Sequence, residues 1–245
     1  MTASLIWISG VSSGIGQALA RIVPWDGARV IGISRRPGER AEHLKADLSD
    51  PGSWPVVGES FRKELAGFDG DKVAFVHTAA TLEPTGFAGE VDTEAYIANV
   101  LVNSAAPQVL GHLFLAAARD VQADRYLVMI SSGAARSVYA GWTSYGAGKA
   151  ALDQWVRNAG AEQRIRGGVR VLSVGPGTVD TGMQALARET AEEDLPNRQK
   201  FVDLHQAGKL TPPDAVARDI WAVLDRDLES GSVVDLREAA KTKSQ

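Results

Sequence analysis

In the stretch YAGWTSYGAGKAAL, two tyrosines, Tyr139 and Tyr145, stand six residues apart, and only the second has a lysine four residues on, Lys149. A free phenol has a pKa near ~10, so at neutral pH about one molecule in a thousand is the phenolate. On a helix, with a rise of about 1.5 Å per residue, Tyr145 and Lys149 lie one turn apart on a shared face. An ammonium so placed favours the phenolate. Each unit of lowered pKa corresponds to about 1.4 kcal/mol and a tenfold larger tyrosinate fraction, which makes the side chain a usable general acid or base. Thirteen residues before Tyr145 is Ser132, in the pair Ser131-Ser132 that closes the apolar run RYLVMIS. Open α/β sheets bind ligands at the carboxyl ends of their strands, so Ser132 reads as a donor to a carbonyl oxygen, or else as a turn cap. Gly146 and Gly148 each cost a helix about 1 kcal/mol relative to alanine, which implies that a cofactor ring or a packed helix comes close there.

A second constellation precedes it in the chain. SGVSSGIGQALA follows the first apolar run, with Gly10, Gly14 and Gly16 in a turn that opens a helix and Ser12, Ser13 and Ile15 between them. Such glycines allow positive φ and close approach to a pyrophosphate, while the helix N-terminus offers unpaired N–H groups. Three residues separate the first two glycines, where the commoner dinucleotide turn has one. About twenty residues on, such a site carries either an acid for a ribose 2′-hydroxyl or an arginine for a 2′-phosphate. Here the chain reads Ser34-Arg35-Arg36 with no acid, which predicts NADPH/NADP as the cofactor.

These residues need elements to hold them. LIWIS, RVIGIS, KVAFVH, RYLVMIS, RVLSVG and SVVDL alternate with longer helical stretches. Near-continuous hydrophobicity over about five residues marks strands buried on both faces, and alternation with helices implies right-handed crossovers. The expected architecture is a doubly wound parallel α/β sheet, a Rossmann fold with helices on both faces, as a single domain over residues 1–240. Within it, the charge-rich segment 180–213 has no strand signal and reads as a substrate lid, and 241–245 reads as a loose tail. The chain has 245 residues, 44% hydrophobic and 23% charged, with a net charge of -4 and no basic run, which argues against a nucleic-acid partner. It has no cysteine, and its four histidines lack ligand spacing, so no metal site is expected. Without a positive leader or an apolar run of membrane-spanning length, a cytoplasmic location is expected.

SGVSSGIG, the paired serines, YGAGK and the later GPGTVDT, in that order over nearly the whole chain, resemble the short-chain dehydrogenases/reductases. The resemblance implies a catalytic set in which Ser132 polarises a carbonyl, Tyr145 gives up a proton, and Lys149 lowers the tyrosine pKa and holds the nicotinamide ribose. It also implies an asparagine that positions a relay water, matched by Asn103, with Asn99 the weaker match. By the same resemblance Asp47 and Leu48 border the adenine, Ala79 lies along the cofactor, and Gly177, Val179 and Thr181 hold the nicotinamide and phosphates. Where the family usually has Asn-Asn-Ala-Gly, this chain has His77-Thr78-Ala79-Ala80, and His77 is read as a structural substitute.

DTGMQ, NRQKFVDLHQAGKL and SGSVVDL are similar to the sepiapterin reductase and benzil reductase type within the family. That similarity implies an NADPH-dependent carbonyl reductase for ketones or vicinal dicarbonyls. The alternatives are a 3-oxoacyl thioester reductase and a non-catalytic NADPH-sensing module. Met183, Leu186 and Phe201, with Trp142, are expected to form an apolar substrate wall. Asp235 matches the aspartate that anchors substrate in the pterin reductases, or is a strand-end carboxylate paired with a surface arginine. The resemblance further implies a homodimer or homotetramer through the long helices after Glu94 and Tyr145.

Overall fold

The computed structural model describes residues 3–238, so the tail expected at 241–245 lies outside the described residues. Strands β1 (Ser4–Ser9), β2 (Arg29–Ser34), β3 (Glu42–Lys45), β4 (Lys72–His77), β5 (Asp124–Ile130), β6 (Arg170–Gly175) and β7 (Val233–Asp235) form one sheet. Its order is β3-β2-β1-β4-β5-β6-β7, and every pairing is parallel. The order reverses between β1 and β4, the switch point at which open α/β sheets bind ligands.

Burial on both faces explains the unbroken apolar runs. Leu5 and Trp7, Ile31 and Ile33, Val73 and Phe75, and Leu127 and Met129 face one layer; Ile6, Ile8, Val30, Ala74, Val76, Val128 and Ile130 face the other. The first layer holds α2 (Trp54–Leu65), α4 (Ala106–Ala117) and α5 (Thr143–Arg166), which contribute Phe61, Phe114 and Val156. The second holds α1 (Gly14–Arg21) and α8 (Pro213–Val223), packed on each other through Leu19, Ile220 and Trp221. Edge-on aromatic contacts knit the first layer, with Trp7 5.2 Å and Phe114 5.4 Å from Phe61.

The strand β3 has no counterpart among the apolar runs of the sequence. Its residues Glu42 and His43 are exposed, and it forms because β2 offers a free edge that satisfies its backbone, reinforced by the Arg29–Glu42 ion pair. Segment 180–213 is largely helical rather than extended: α6 (Gly182–Glu189) and α7 (Arg198–Gln206) lie in it. Its ends are tied together by backbone hydrogen bonds from Asp180 N to Thr211 O and from Thr211 N to Thr178 O.

Helix α3 (Thr93–Val100) begins at an aspartate cap, in which Asp92 Oδ1 accepts the Ala95 N–H at 2.8 Å. It runs through a π-helical turn at Leu101–Ala105 into α4. The joined helix, Thr93–Ala117, contains an 18-residue stretch with a mean hydropathy of 1.4 and is long and apolar enough by composition to cross a membrane. No single apolar run in the sequence suggests this, because Asn99, Asn103 and His112 interrupt it. In the fold, one side of this helix packs on the sheet and on α2 and α5, and Ile97 and Val100 on α3 remain exposed.

Phe61 is fully buried at the centre of the aromatic cluster. Phe61→Ala is expected to lower the unfolding free energy by about 3–5 kcal/mol, read as a lower denaturant midpoint at unchanged slope. A loss under about 1 kcal/mol would show that the cluster is loosely packed.

Candidate active site

Each strand sends a part of the site from its carboxyl end. Gly10 follows β1, Arg35 follows β2, Asp47 follows β3, Thr78 follows β4, Ser132 follows β5, Gly177 follows β6 and Arg237 follows β7. They surround two adjoining cavities. The larger, about 710 Å³, is lined by Gly10, Ser12, Ser13, Gly14, Ile15, Gly16, Ser34, Arg35, Arg36, Asp47, Leu48, Ala79 and Thr181. The smaller, about 160 Å³, is lined by Ser132, Trp142, Tyr145, Lys149, Gly177, Val179 and Met183. The two share Ile15, Thr78, Ala80, Leu82, Thr181 and Met183 in their walls.

The larger cavity fits a dinucleotide. Gly10 has φ +75°, and a Cβ on Gly16 would stand 2.3 Å from the Gly10 carbonyl oxygen, so the turn and the seating of α1 both require glycine. Helix α1 has no side-chain cap, and its first residues line the cavity. Arg35 and Arg36 are exposed at its other end. Asp47, held below the usual carboxylate range by hydrogen bonds from Ser49 and by the Arg35 charge against the opposing cost of burial, lies beside them.

In the smaller cavity Tyr145 is buried, with its ring edge-on to Trp142 at 5.7 Å. Burial raises the phenol above its ordinary pKa, while the Ser132 side chain pulls the other way. Lys149 does stand on the same helix face, yet its ammonium lies 5.8 Å from the Tyr145 ring centre and donates to the Ile130 carbonyl at 2.9 Å. Burial pulls its pKa down to about 8, against the attraction of Asp153. Lys149 therefore remains charged at neutral pH, and desolvation rather than its lysine dominates the shift at Tyr145.

Gly148 accounts for one of the two odd helix glycines. A Cβ there would lie 2.9 Å from Asn103 Cβ, so α5 presses directly on the π turn, and a packed helix rather than a cofactor ring is what comes close. Gly146 lies over the Ala134 carbonyl, with 3.3 Å for a Cβ. The Asn103 amide donates to Thr81 O at 2.7 Å and to Asn99 Oδ1 at 2.9 Å, and its Oδ1 accepts from Thr81 N at 3.1 Å. Asn99 in turn donates to Glu83 O at 2.7 Å. Both asparagines thus hold the loop after β4, and the Asn103 side chain lines neither cavity.

His77 sits in the same interior, completely buried. The Ser9 hydroxyl oxygen accepts from Thr78 N at 3.0 Å and Ala79 N at 3.1 Å, which uses both of its lone pairs. Its own hydrogen then goes to His77 Nδ1, 3.0 Å away, which assigns the ring proton to Nε2. Burial first, and the Lys149 charge second, lower the His77 pKa from 6.5 to about 3, so the ring is neutral. Thr78, standing where the family has its second asparagine, donates to Ser9 O at 2.5 Å.

Aromatic rings cluster among the residues expected to form the substrate wall. Trp142 lies 4.9 Å from Tyr139 and 5.0 Å from Phe201 of α7. Leu186 faces the larger cavity and Phe201 the smaller. Asp235 is placed differently from a substrate anchor: it lines neither cavity, its side chain is 2% exposed, and it is paired with Arg136 at 3.0 Å and Arg237 at 2.6 Å. The strand-end ion pair is the reading this geometry matches. The group that does line the smaller cavity is Arg237, which sequence reasoning missed; the only local signal is its place two residues beyond Asp235.

An all-parallel doubly wound sheet, a glycine turn at its switch point, and a Ser-Tyr-Lys set facing the adjoining cavity define an oxidoreductase of the nicotinamide-dependent class. The chain belongs to the short-chain dehydrogenase family, whose model, described as short chain dehydrogenase, matches residues 4–192. It is 30% identical to a benzil reductase ((S)-benzoin forming) from Bacillus cereus, over 94% of this chain and 98% of that one. It is likewise 30% identical to the sepiapterin reductase of Bos taurus, over 95% of this chain and 94% of that one. Among solved structures, a short chain dehydrogenase/reductase from Saccharomyces cerevisiae superposes with a TM-score of 0.79 at 23% identity, covering 95% of each chain. A short chain dehydrogenase from Shigella flexneri, solved in complex with NADP, superposes at 0.76 with 21% identity, covering 96% of this chain and 97% of that one.

The His77 tautomer has a consequence for acid stability. The unfolded chain takes up the imidazole proton near its ordinary value of 6.5, while the folded chain resists it down to about 3. Stability from burying the neutral ring is therefore complete above about pH 6.5 and is lost as the pH falls toward 3. His77→Asn is expected to shrink the drop in urea midpoint between about pH 7 and about pH 4.5. An identical drop in both proteins would show that the ring is not buried neutral.

Proposed function

We propose that this protein is an NADPH-dependent carbonyl reductase acting on a ketone or vicinal dicarbonyl compound. The observation that carries the reading is the convergence of Ser132, Tyr145 and Lys149 on one small apolar cavity that opens into the dinucleotide-sized one. Relatives of nearly full length are named for reducing benzil and sepiapterin, and both names describe reduction of a carbonyl compound.

In this reading Gly10 to Gly16 cradle the pyrophosphate, Arg35 and Arg36 face the 2′-phosphate, and Lys149, Gly177, Val179 and Thr181 border the nicotinamide end. The bound dinucleotide supplies the hydride. The chain's own residues do the rest. The Ser132 hydroxyl donates to the substrate oxygen, Tyr145 gives that oxygen its proton, and the Lys149 ammonium offsets the charge left on the phenolate. The lysine's position near pH 8 keeps it protonated at neutral pH. Trp142, Phe201 and Met183 exclude water from the reacting carbonyl, which strengthens each of these electrostatic effects. The exposed apolar residues Ile97 and Val100 of α3 support a homo-oligomer built on that helix and α5.

Tyr145→Phe removes the proton donor and little else. NADPH oxidation with a diketone is expected to fall about a hundredfold or more, with NADPH affinity within a few fold of the unmodified protein, whereas Lys149→Met damages both. Retention of more than about a tenth of the rate in Tyr145→Phe would remove the tyrosine from its role.

Cofactor choice has its own test. NADPH is expected to be preferred over NADH, and Arg35→Ala to weaken NADPH binding by roughly ten- to a hundredfold with little effect on NADH, since charge-assisted hydrogen bonds contribute about 1.5–3 kcal/mol. Equal Michaelis constants for the two cofactors in the unmodified protein would overturn the preference.

A further inference from the structure

We propose that Arg237 receives a carboxylate on the substrate, so that the preferred substrates are 2-oxo acids with a single apolar or aryl group. The proposal rests on the carbonyl-reductase reading and names the substrate class for it.

Arg237 reaches the small cavity from the end of β7. Its stem passes Gly177, where a Cβ would lie 3.1 Å from Arg237 Cγ, and its Nη2 lies beside Gly133, where a Cβ would be 3.4 Å away. Gly133 is the residue next to Ser132. The guanidinium therefore stands beside the group that addresses the reacting oxygen, with two glycines leaving no side chain between the arginine and the cavity. A carboxylate held there is a near neighbour of the carbonyl being reduced. In a 2-oxo acid the two are adjacent, just as the two carbonyls are in a vicinal dicarbonyl.

The arginine is held in a defined pose. Asp235 Oδ1 accepts from Arg237 N and Nε, both at 3.0 Å, and Oδ2 accepts from Nη2 at 2.6 Å. The carboxylate thus uses the Nε–Nη2 edge of the fork, and the Nη1–Nη2 edge is the one it does not use. Asp235 is buried and also paired with Arg136, so one carboxylate serves two guanidiniums. Lys200 donates at 2.8 Å to the hydroxyl of Tyr139, which lines the cavity. Glu238 is a second acid acting on Arg237. Arg136 and Arg237 share the single carboxylate of Asp235, and a guanidinium lining a partly desolvated cleft favours an anion.

The remaining walls set the rest of the molecule. Leu82, Trp142, Ala187 and Phe201 are buried and apolar and line the cavity. Its volume, about 160 Å³, is below the about 300–1,000 Å³ usual for drug-sized ligands. One ring fits that space better than two. A cation at one end and an aromatic box at the other select an amphipathic substrate, and arginine is the side chain suited to planar, bidentate recognition of a carboxylate.

The test compares two substrates with the same reacting carbonyl, benzoylformate and its methyl ester, in the full-length protein with NADPH. In the unmodified protein kcat/KM for the acid is expected to exceed that for the ester. Arg237→Ala is expected to reduce the acid-to-ester ratio by about ten- to a hundredfold, mainly through KM for the acid, and Arg237→Lys to restore part of it. Raising the salt concentration lowers the ratio in the unmodified protein and not in Arg237→Ala. An unchanged ratio in Arg237→Ala overturns the proposal, as does an unmodified protein that prefers the ester. If the ester and benzil are reduced and the acid is not, the carboxylate assignment fails while the reductase reading stands. If no carbonyl compound oxidises NADPH or NADH, the reductase reading fails and takes this proposal with it.

Discussion

The site depends on the close approach of α5 to the π turn between α3 and α4. Gly148 makes that approach possible, since even a methyl group there would press on Asn103 Cβ at 2.9 Å. One side of α5 is thereby fixed against the helix that carries Asn99 and Asn103, and its other contacts follow. Asp153 accepts a hydrogen bond from Ser173 of β6 at 2.6 Å, and Lys149 donates to the last carbonyl of β5. Tyr145 and Lys149 are in place because the helix beneath them cannot shift. A π turn at a functional site is a recurrent device, and here it turns the Asn103 side chain toward the loop after β4.

Burial governs the electrostatics of this interior. It lowers the lysine, raises the tyrosine and keeps His77 neutral, in each case by disfavouring the charged form. Several of the polar groups that remain bond to the backbone, while His77 Nε2 has no hydrogen-bond partner among the described residues. Ser9 ties together the ends of β1 and β4 with one hydroxyl, and the two asparagines secure residues 81 and 83. Such a network rigidifies the region because each member left unpaired would carry a desolvation cost of about 1–3 kcal/mol. His77 fits this pattern as an uncharged member of the scaffold, in the place where the family commonly has an asparagine.

At the open end the cavity is bounded by elements far apart in the chain. Phe201 of α7 stacks on Trp142 before α5, and Tyr139 completes the group. Beside them Asp235 is buried under two arginines, so the group presented to the cavity is a guanidinium rather than a carboxylate. The exchange of one sign for the other changes which substrates the site can attract.

By itself the sequence determined the doubly wound class, the glycine turn and the Tyr145–Lys149 pairing, because each depends on local geometry. Two-sided burial writes continuous apolar runs, positive φ at Gly10 demands glycine, and a helical turn brings residues four apart together. The edge strand β3 was invisible, because Glu42 and His43 have no buried face and the strand is held by a neighbour's backbone and an ion pair from Arg29. The sequence placed Lys149 on the right face and could not show that burial dominates the pKa of Tyr145. Which atom of His77 carries the proton, that Gly148 yields to Asn103, and that Arg237 rather than Asp235 meets the cavity were decided by the tertiary structure alone. A charge or hydrogen bond takes its value from neighbours in space, and for these residues the neighbours lie tens of positions away in the chain or are fixed by the packing of distant elements.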